Sequence, residues 1–436
     1  MLGQGNQSCT STRGVGWWLL SRCVPPKKRH TVGARIVQHI DMTQPEGLRA
    51  LGKPHKDMSI QALRGIAVLL MVAGHVIGDK ATRGMTVTDD SIWRYSYILL
   101  EDIRMPLFSV ISGFVYAYRP IRPGAIQGFL RAKSRRLLFP LVTVGILLFG
   151  MQLVVPGINS KPAVTDAWMI VIYGHDHLWF LPSIFLIFAV VAVLDNTSVT
   201  TTRRGWLIAT VVSAALFVVL RFSGTWNIFS IDGAIRLMPF FLIGYGMHRY
   251  MLFDLRGFGA AAAGAVLATL LIPRIGISVD GWDVPVGVDR LLSLAIGVVG
   301  VTLIYSARNA VRCRALAWIG GFSFGIYLLH VFGAAATRIA LSKVSLDTDI
   351  AVFTIGMIAG VGLPILFQKL FGSWTPVRVG ILGEKPIRGD QPADADPELC
   401  TDGSHRRHHS RVREGGTPSD SRSTGRSPES PPQSAR

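Results

Sequence analysis

Arg64 and His75 are two ionisable side chains inside the first long apolar stretch of the chain. They are eleven positions apart, so a helix places them on one face, three turns and about 16 Å apart along its axis. If this stretch crosses a membrane, an ionisable group costs several kcal/mol unless it faces a cavity or a partner, which makes both residues candidates for function. A neutral imidazole suits general base catalysis because its ordinary pKa lies close to neutral pH. The alternative is that Arg64 extends to the inner interface and His75 caps the outer end of the helix.

Three charged residues, Glu101, Asp102 and Arg104, stand at the entrance to the second apolar stretch, just before Pro106. Charges followed by a proline predict a broken or re-entrant helix start that lines a cavity rather than lipid. Farther along this stretch, Ser112 is a candidate binding residue, although with the glycine after it Ser112 also fits a site of close helix packing.

Two more histidines lie in later apolar stretches. His177 belongs to a His-Asp-His segment, and His330 follows Tyr327 by three positions. Two histidines two positions apart, without a third ligand, are a weak zinc signal, and the four cysteines form no CxxC pair, so we predict no metal site. Trp179 is either an interfacial aromatic or a stacking platform. Because His75, His177 and His330 all map to the outer half of the predicted bundle, we expect them to converge.

Basic residues cluster before the third apolar stretch, at Arg131, Arg135 and Arg136. Such a cluster is typical of a cytosolic loop that fixes the orientation of a membrane protein. It is equally suited to the phosphates of a nucleotide-type donor, since guanidinium groups bind phosphate bidentately.

The composition is that of a membrane protein. Of the 436 residues, 49% are apolar and only 17% are charged, whereas soluble domains carry about a quarter charged residues. The net charge of +18 arises from 45 Lys and Arg against 27 Asp and Glu, and the basic residues fall between apolar runs. Nucleic-acid binding needs basic residues concentrated on one face, so we expect no nucleic-acid partner.

Ten apolar stretches are long enough to cross a hydrocarbon layer of about 30 Å. They lie at 59–78, 98–118, 137–155, 177–194, 205–221, 233–250, 257–273, 290–307, 316–338 and 350–372. If the N-terminus is cytosolic, the short inner loops hold thirteen Lys or Arg in 45 residues, against ten in 82 residues of the outer loops. This asymmetry predicts an all-α bundle of about ten spans with both termini cytosolic, and we expect a multi-pass protein in the lipid bilayer of the plasma membrane.

The chain divides into three predicted regions. Residues 1–58 are basic and hold no apolar run long enough for a signal peptide, so we expect a poorly ordered cytosolic segment without a cleaved leader. Met42 and Met58 shortly precede the first span, which suggests the hypothesis that translation starts later than Met1. Residues 59–372 form the membrane domain. Residues 373–436 are charged and are predicted to be a disordered tail, so any chemistry must reside in the membrane domain.

The order and spacing of several segments resemble the acyltransferase-3 family of integral-membrane acyltransferases over about residues 59–372. The resemblance rests on the Arg-x10-His spacing of Arg64 and His75 and on five segments: MPLF with ISGF at 105–114, RRLLFP at 135–140, HLWFLP at 177–182, MPFFLIGYG at 238–246 and FSFGIYLLH at 322–330. The MPLF segment is similar to a fucose 4-O-acetylase-like subgroup, which favours a sugar acceptor.

The resemblance implies transfer of an acyl group, usually acetyl from cytosolic acetyl-CoA, to a hydroxyl of a carbohydrate or lipid-linked glycan. Acyl-CoA is then a co-substrate and no cofactor is bound. Together with the topology, the resemblance suggests that Arg131, Arg135 and Arg136 hold the phosphates of coenzyme A, and that Arg64 stabilises the donor along its path.

The same resemblance suggests the catalytic residues. His75, oriented by Asp102 or Glu101, deprotonates the acceptor hydroxyl or relays the acyl group. His177 and His330 shape the acceptor site or act as a second proton carrier, and the sequence does not rank them. The remaining candidate binding residues are Arg104, Ser112, Trp179 and Tyr327.

Two questions stay open at this point. Many relatives in the family carry an additional extracytoplasmic hydrolase-like domain after the last span, and none is predicted here, so the bundle either acylates its acceptor directly or works with a partner transferase. The rival function is a transporter or flippase for a lipid-linked sugar, which would also bury histidines and arginines in a polytopic bundle. A transporter need not consume acyl-CoA, and that difference separates the two.

Overall fold

The computed structural model describes residues 57–386, except 123, 157, 159, 160, 253 and 347. This part of the chain contains eleven helices of eight residues or more and no strand. In chain order they are α1 (Met58–Ile77), α2 (Ile92–Ala117), α3 (Ile126–Val154), α4 (Phe180–Asn196), α5 (Arg203–Val219), α6 (Ile231–Arg249), α7 (Phe258–Ser278), α8 (Val286–Ser306), α9 (Arg314–Gly321), α10 (Ser323–Lys343) and α11 (Asp349–Phe371). The predicted all-α architecture is confirmed.

Eight of the described helical segments are long and apolar enough to cross a membrane. The two other predicted spans correspond to α2 and α5. Helix α2 carries four charged side chains and continues through Pro106, so the predicted broken or re-entrant start is wrong. Helix α5 has only 17 residues. The prediction of a polytopic bundle is confirmed. The charge of α2 and the short length of α5 separate these two helices from the other eight.

The helix starts follow from local capping. The carboxylate of Asp57 accepts a hydrogen bond from the backbone N–H of Ser59 at 2.9 Å, and α1 begins there. The hydroxyl of Ser91 accepts from the N–H of Arg94 at 3.1 Å at the start of α2. In both cases a side-chain oxygen satisfies a backbone donor that has no partner inside the helix.

Helices α2 and α6 pack against each other through glycines. A Cβ at Gly113 would lie 1.9 Å from the carbonyl oxygen of Phe241, and a Cβ at Gly244 would lie 2.0 Å from that of Val110. Only glycine allows the two backbones to approach so closely. Helix α1 packs against α2, α9, α10 and α11, so α1 and α2 together form the centre on which the candidate site is built.

The outer helices present apolar side chains on their free faces. Leu207, Ile208 and Val211 of α5 are more than half exposed, and little of α7 is buried inside the bundle. In a membrane protein these faces meet lipid, where exposed apolar side chains carry no cost.

The predicted boundary of the C-terminal tail at residue 373 is wrong. Residues 373–386 continue the bundle: a π-helical turn spans Val377–Ile381, and Val377 and Leu382 are buried. The hydroxyl of Thr143 on α3 donates to the carbonyl of Gly380 at 2.6 Å, which holds this segment against α3. The remainder of the predicted tail, and residues 1–56 of the predicted N-terminal segment, lie outside the described residues.

Candidate active site

A cavity of about 380 Å³ lies between α1, α2, α3, α10 and the loop that precedes α4. Its walls include the side chains of His75, Tyr97, Arg104, His177, Trp179 and Arg338. Polar groups therefore meet in one enclosure that is otherwise lined by apolar side chains. That combination is typical of a small-molecule site.

The three histidines expected to converge lie together. The ring centroids are 4.9 Å apart for His75 and His330, 4.9 Å for His177 and His330, and 5.9 Å for His75 and His177. His75 and His177 line the cavity, whereas His330 is fully buried behind them. No group of three or more His, Cys, Asp or Glu side chains among the described residues has a geometry that would hold a metal ion.

The hydrogen bonds of His330 indicate the tautomer of its neutral ring. Its Nδ1 lies 2.9 Å from the carbonyl oxygen of Tyr327 and 3.1 Å from that of Ile326. A carbonyl oxygen only accepts, so Nδ1 carries the proton and Nε2 carries the lone pair. This Nε2 is buried and makes no hydrogen bond within the described part of the chain. The backbone of α10 thus presents a basic nitrogen beside His75 and His177.

His177 is positioned by its own loop. The hydroxyl of Tyr327 donates to the backbone carbonyl of His177 at 2.8 Å, which fastens the loop to α10. On the other side, the amide of Gln152 on α3 donates to the carboxylate of Asp176 at 2.5 Å and lies 2.5 Å from Nε2 of His175. The loop is thereby tied to two helices that border the cavity.

Arg104 enters the cavity from α2. Its Nη2 donates to the hydroxyl of Tyr97 at 2.6 Å, and its guanidinium lies over the ring of Tyr97, 4.3 Å from the centroid. Tyr97 and Arg104 are seven positions apart and so share one face of the helix. The guanidinium also requires Gly74 on α1, because a Cβ there would lie 1.7 Å from Nη1. Arg104 is therefore seated next to His75.

The carboxylates predicted to orient His75 have other partners. Asp102 accepts from the hydroxyl of Ser293 at 2.6 Å and pairs with Nε of Arg274 at 2.8 Å. Glu101 pairs with Nη2 of the same arginine at 3.2 Å. Neither carboxylate lines the cavity. The reason is helical geometry: Asp102 is two positions from Arg104, about 200° around the helix, and so faces α7 and α8 instead of α1.

Other predicted residues are distributed as follows. Trp179 lines the cavity. Ser112 does not line it, and its hydroxyl donates to the carbonyl of Phe108 at 2.8 Å within the same helix. A serine that satisfies its own helix backbone in this way agrees with the packing interpretation.

The predicted donor residues lie at the opposite end of α1, three helical turns from His75. Arg64 is within electrostatic reach of Arg136 on α3. Nε of Arg135 is buried without a hydrogen-bond partner among the described residues, whereas Arg131 is exposed. Arg64 and Arg136 thus lie within electrostatic range of each other, whereas Arg131 lies on the surface.

The C-terminal segment covers this basic cluster. Arg136 donates to the carbonyl of Leu382 at 2.7 Å and to the carboxylate of Glu384 at 3.0 Å. Arg378 lies 3.6 Å from the same carboxylate. Arginines outnumber carboxylates here, which gives the cluster a positive character that suits an anionic ligand.

Sequence reasoning missed several residues of the site, among them Tyr97, Gln152 and Arg338. Gln152 was detectable, because it is a polar side chain inside an apolar stretch. The role of Tyr97 depends on which face of α2 meets α1, and residue type and spacing do not indicate that face.

Comparison with known families agrees with the geometry. A family model described as an acyltransferase domain, Acyl_transf_3, matches residues 58–369. The match covers more than two thirds of the chain and includes all three converging histidines together with Arg64 and Arg104. No curated protein and no solved structure matches the chain.

Proposed function

The chain belongs to the acyltransferase-3 family, and on this premise we propose that it transfers an acyl group, acetyl in the simplest case, from cytosolic acyl-CoA to a hydroxyl of a carbohydrate or glycolipid. The family match supports an acyltransferase in the membrane. The donor, the oxygen acceptor and the plasma membrane as its location are part of the proposal.

The observation that carries the proposal is the meeting of three imidazoles at one cavity. His75 lines the cavity, and His330 lies 4.9 Å behind it, with the lone pair of Nε2 accepting no hydrogen bond among the described residues. A base next to the acceptor, with a second basic nitrogen beside it, is suited to take a proton from a hydroxyl. In this proposal His330 takes the place of Asp102 as the group beside His75.

The reaction balances in protons and electrons as follows. His75 removes the proton from the acceptor hydroxyl as its oxygen attacks the thioester carbonyl. The carbon–oxygen bond forms, the carbon–sulfur bond breaks, and the thiolate of coenzyme A leaves with the proton that His75 returns. The products are an ester and free coenzyme A.

The donor enters from the opposite end of α1 in this proposal. Arg64 and Arg136 are near each other there, three helical turns from His75. Guanidinium groups bind phosphate well, and the flexible pantetheine arm can extend from such a site along the bundle. The phosphates of the donor then lie at the basic cluster, and its thioester lies at the histidines at the other end of α1.

The test is turnover of radiolabelled acetyl-CoA by the purified full-length protein in lipid. We expect His75→Ala to lower acyl transfer by about 10² to 10⁴, which is the usual range for a positioned general base. His248→Ala is the matched control. This histidine stacks on Tyr118 with ring centroids 4.0 Å apart and does not line the cavity.

Two results would refute the proposal. If His75→Ala retains the turnover of the unchanged protein, the assignment of the base is wrong. If the unchanged protein neither consumes acetyl-CoA nor binds coenzyme A, the transporter or flippase function becomes the better explanation.

A further inference from the structure

The cavity contains more positive than negative side chains. Arg83, Arg104 and Arg338 line it, against the two carboxylates of Asp79 and Asp176. The excess of one positive charge favours ligands that carry negative charge, since the net charge of a cleft attracts the opposite sign.

Both carboxylates already have partners within the protein. Asp79 lies 3.5 Å from the guanidinium of Arg83. Asp176 accepts from the amide of Gln152 at 2.5 Å and lies 3.8 Å from the ring of His175. Neither carboxylate forms an ion pair with Arg104 among the described residues.

The hydrogen-bond partner of Arg104 is neutral. Its Nη2 donates to the hydroxyl of Tyr97, while Nη1 is buried and donates to nothing within the described residues. Glu101, one turn earlier on the same helix, pairs with Arg274 at 3.2 Å. Glu101 attracts Arg104 electrostatically, but no carboxylate among the described residues lies within ion-pair distance of this partly buried guanidinium. A bound anion would supply that contact and lower the cost of burying the charge.

We propose that the acceptor carries a carboxylate or a phosphate and that Arg104 binds this group. The inference rests on the proposed function, because it names the substrate class of the same cavity. The guanidinium of Arg104 packs against Gly74, which is the residue immediately before His75. The anionic group that Arg104 binds and the hydroxyl that His75 deprotonates must therefore lie close together in the acceptor. An acidic sugar, such as a uronic acid or a sugar phosphate, meets this requirement.

Arg104 has one other role to be distinguished, namely stabilisation of the negative charge that develops on the thioester oxygen during transfer. The two roles differ in what a substitution removes. Loss of an oxyanion stabiliser slows transfer to charged and neutral acceptors equally. Loss of an acceptor-binding arginine removes only the preference for the charged acceptor.

The experiment compares methyl glucuronide with methyl glucoside. Both carry ring hydroxyls at positions two, three and four, but carbon six is a carboxylate in the glucuronide and a hydroxymethyl group in the glucoside. Binding is measured by ligand-observed NMR with the full-length protein in lipid nanodiscs, and acetyl transfer is measured in parallel. Glucose 1-phosphate forms a third arm that distinguishes a phosphate from a carboxylate. The variants are Arg104→Gln, Arg104→Lys and, as a control that removes the same charge from an exposed site outside the cavity, Arg256→Gln.

We expect the unchanged protein and Arg256→Gln to bind one of the charged sugars at least tenfold more tightly than methyl glucoside. Arg104→Gln should lose this preference and Arg104→Lys should keep part of it, which also excludes misfolding as the cause. The inference is overturned if the unchanged protein shows no preference for either charged sugar, if the preference survives in Arg104→Gln, or if Arg104→Gln slows transfer to both classes equally. A charge preference that depends on Arg104, without acetyl transfer to any of the three sugars, would refute the proposed function and leave Arg104 only as an anion-binding residue of the cavity.

Discussion

Gly113→Ala is predicted to separate α2 from α6 and so to destabilise the bundle. A Cβ at position 113 would lie 1.9 Å from the carbonyl oxygen of Phe241, whereas ordinary van der Waals contact begins at 3.4 Å. The obstacle is backbone, which cannot rotate away as a flexible side chain does. The two helices must therefore move apart by about 1.5 Å, the difference between these distances.

The size of the effect follows from that displacement. Forcing an extra methyl group into a well-packed contact costs about 1–3 kcal/mol. A cost of about 1.4 kcal/mol changes the ratio of folded to unfolded protein tenfold, so the loss is readily measured. The matched control is Gly264→Ala in α7, where an added Cβ meets no atom within 4 Å. Alanine is the better helix former by up to about 1 kcal/mol, so this variant should be equally or more stable.

The assay is reversible unfolding of both variants in mixed micelles, followed by circular dichroism. Because α2 also carries Tyr97 and Arg104, we expect Gly113→Ala to weaken ligand binding in the cavity as well. Equal stability of Gly113→Ala and Gly264→Ala would refute the reasoning, since it would mean that the close approach of the two backbones does not constrain the bundle.

Two further predictions concern the two ends of the site. Tyr327→Phe removes the donor to the backbone carbonyl of His177, and a buried acceptor left unsatisfied costs about 1–3 kcal/mol. We expect faster hydrogen exchange in the loop before α4, together with a lower kcat and little change in the KM for acetyl-CoA. Unchanged hydrogen exchange would contradict this prediction. Glu384→Gln removes a carboxylate that pairs with Arg136, so coenzyme A should bind several-fold more tightly if its phosphates use that arginine. Calorimetric titration with coenzyme A measures this, with Asp254→Asn as the control that removes a carboxylate paired elsewhere; equal or weaker binding by Glu384→Gln would argue against a donor site at Arg136.

Much of the fold could be predicted from the sequence because it depends on long apolar stretches and on charge. Hydropathy and length identify spans directly, since a bilayer of fixed thickness sets both. The position of the tail boundary could not be predicted in this way. Residues 373–386 form a short segment between the last apolar stretch and the charged tail, and they are held by hydrogen bonds from Thr143 and Arg136, distant in sequence. Composition does not report such contacts.

The candidate site was likewise predictable only in part, and α2 shows the reason. The sequence places Asp102 and Arg104 in one helix close to the level of His75, and either could serve a histidine. The choice depends on which face of α2 meets α1, and small residues on the partner helices decide it. Gly74 on α1 leaves room for the guanidinium of Arg104, whereas Gly297 on α8 lies against the backbone carbonyl of Asp102. A glycine in the sequence shows where another helix can approach closely, but it does not show which helix that is. The convergence of the histidines could be predicted, because it depends only on the depth of each residue in the bundle. The partner of His75 could not, because it depends on the rotation of α2 about its axis.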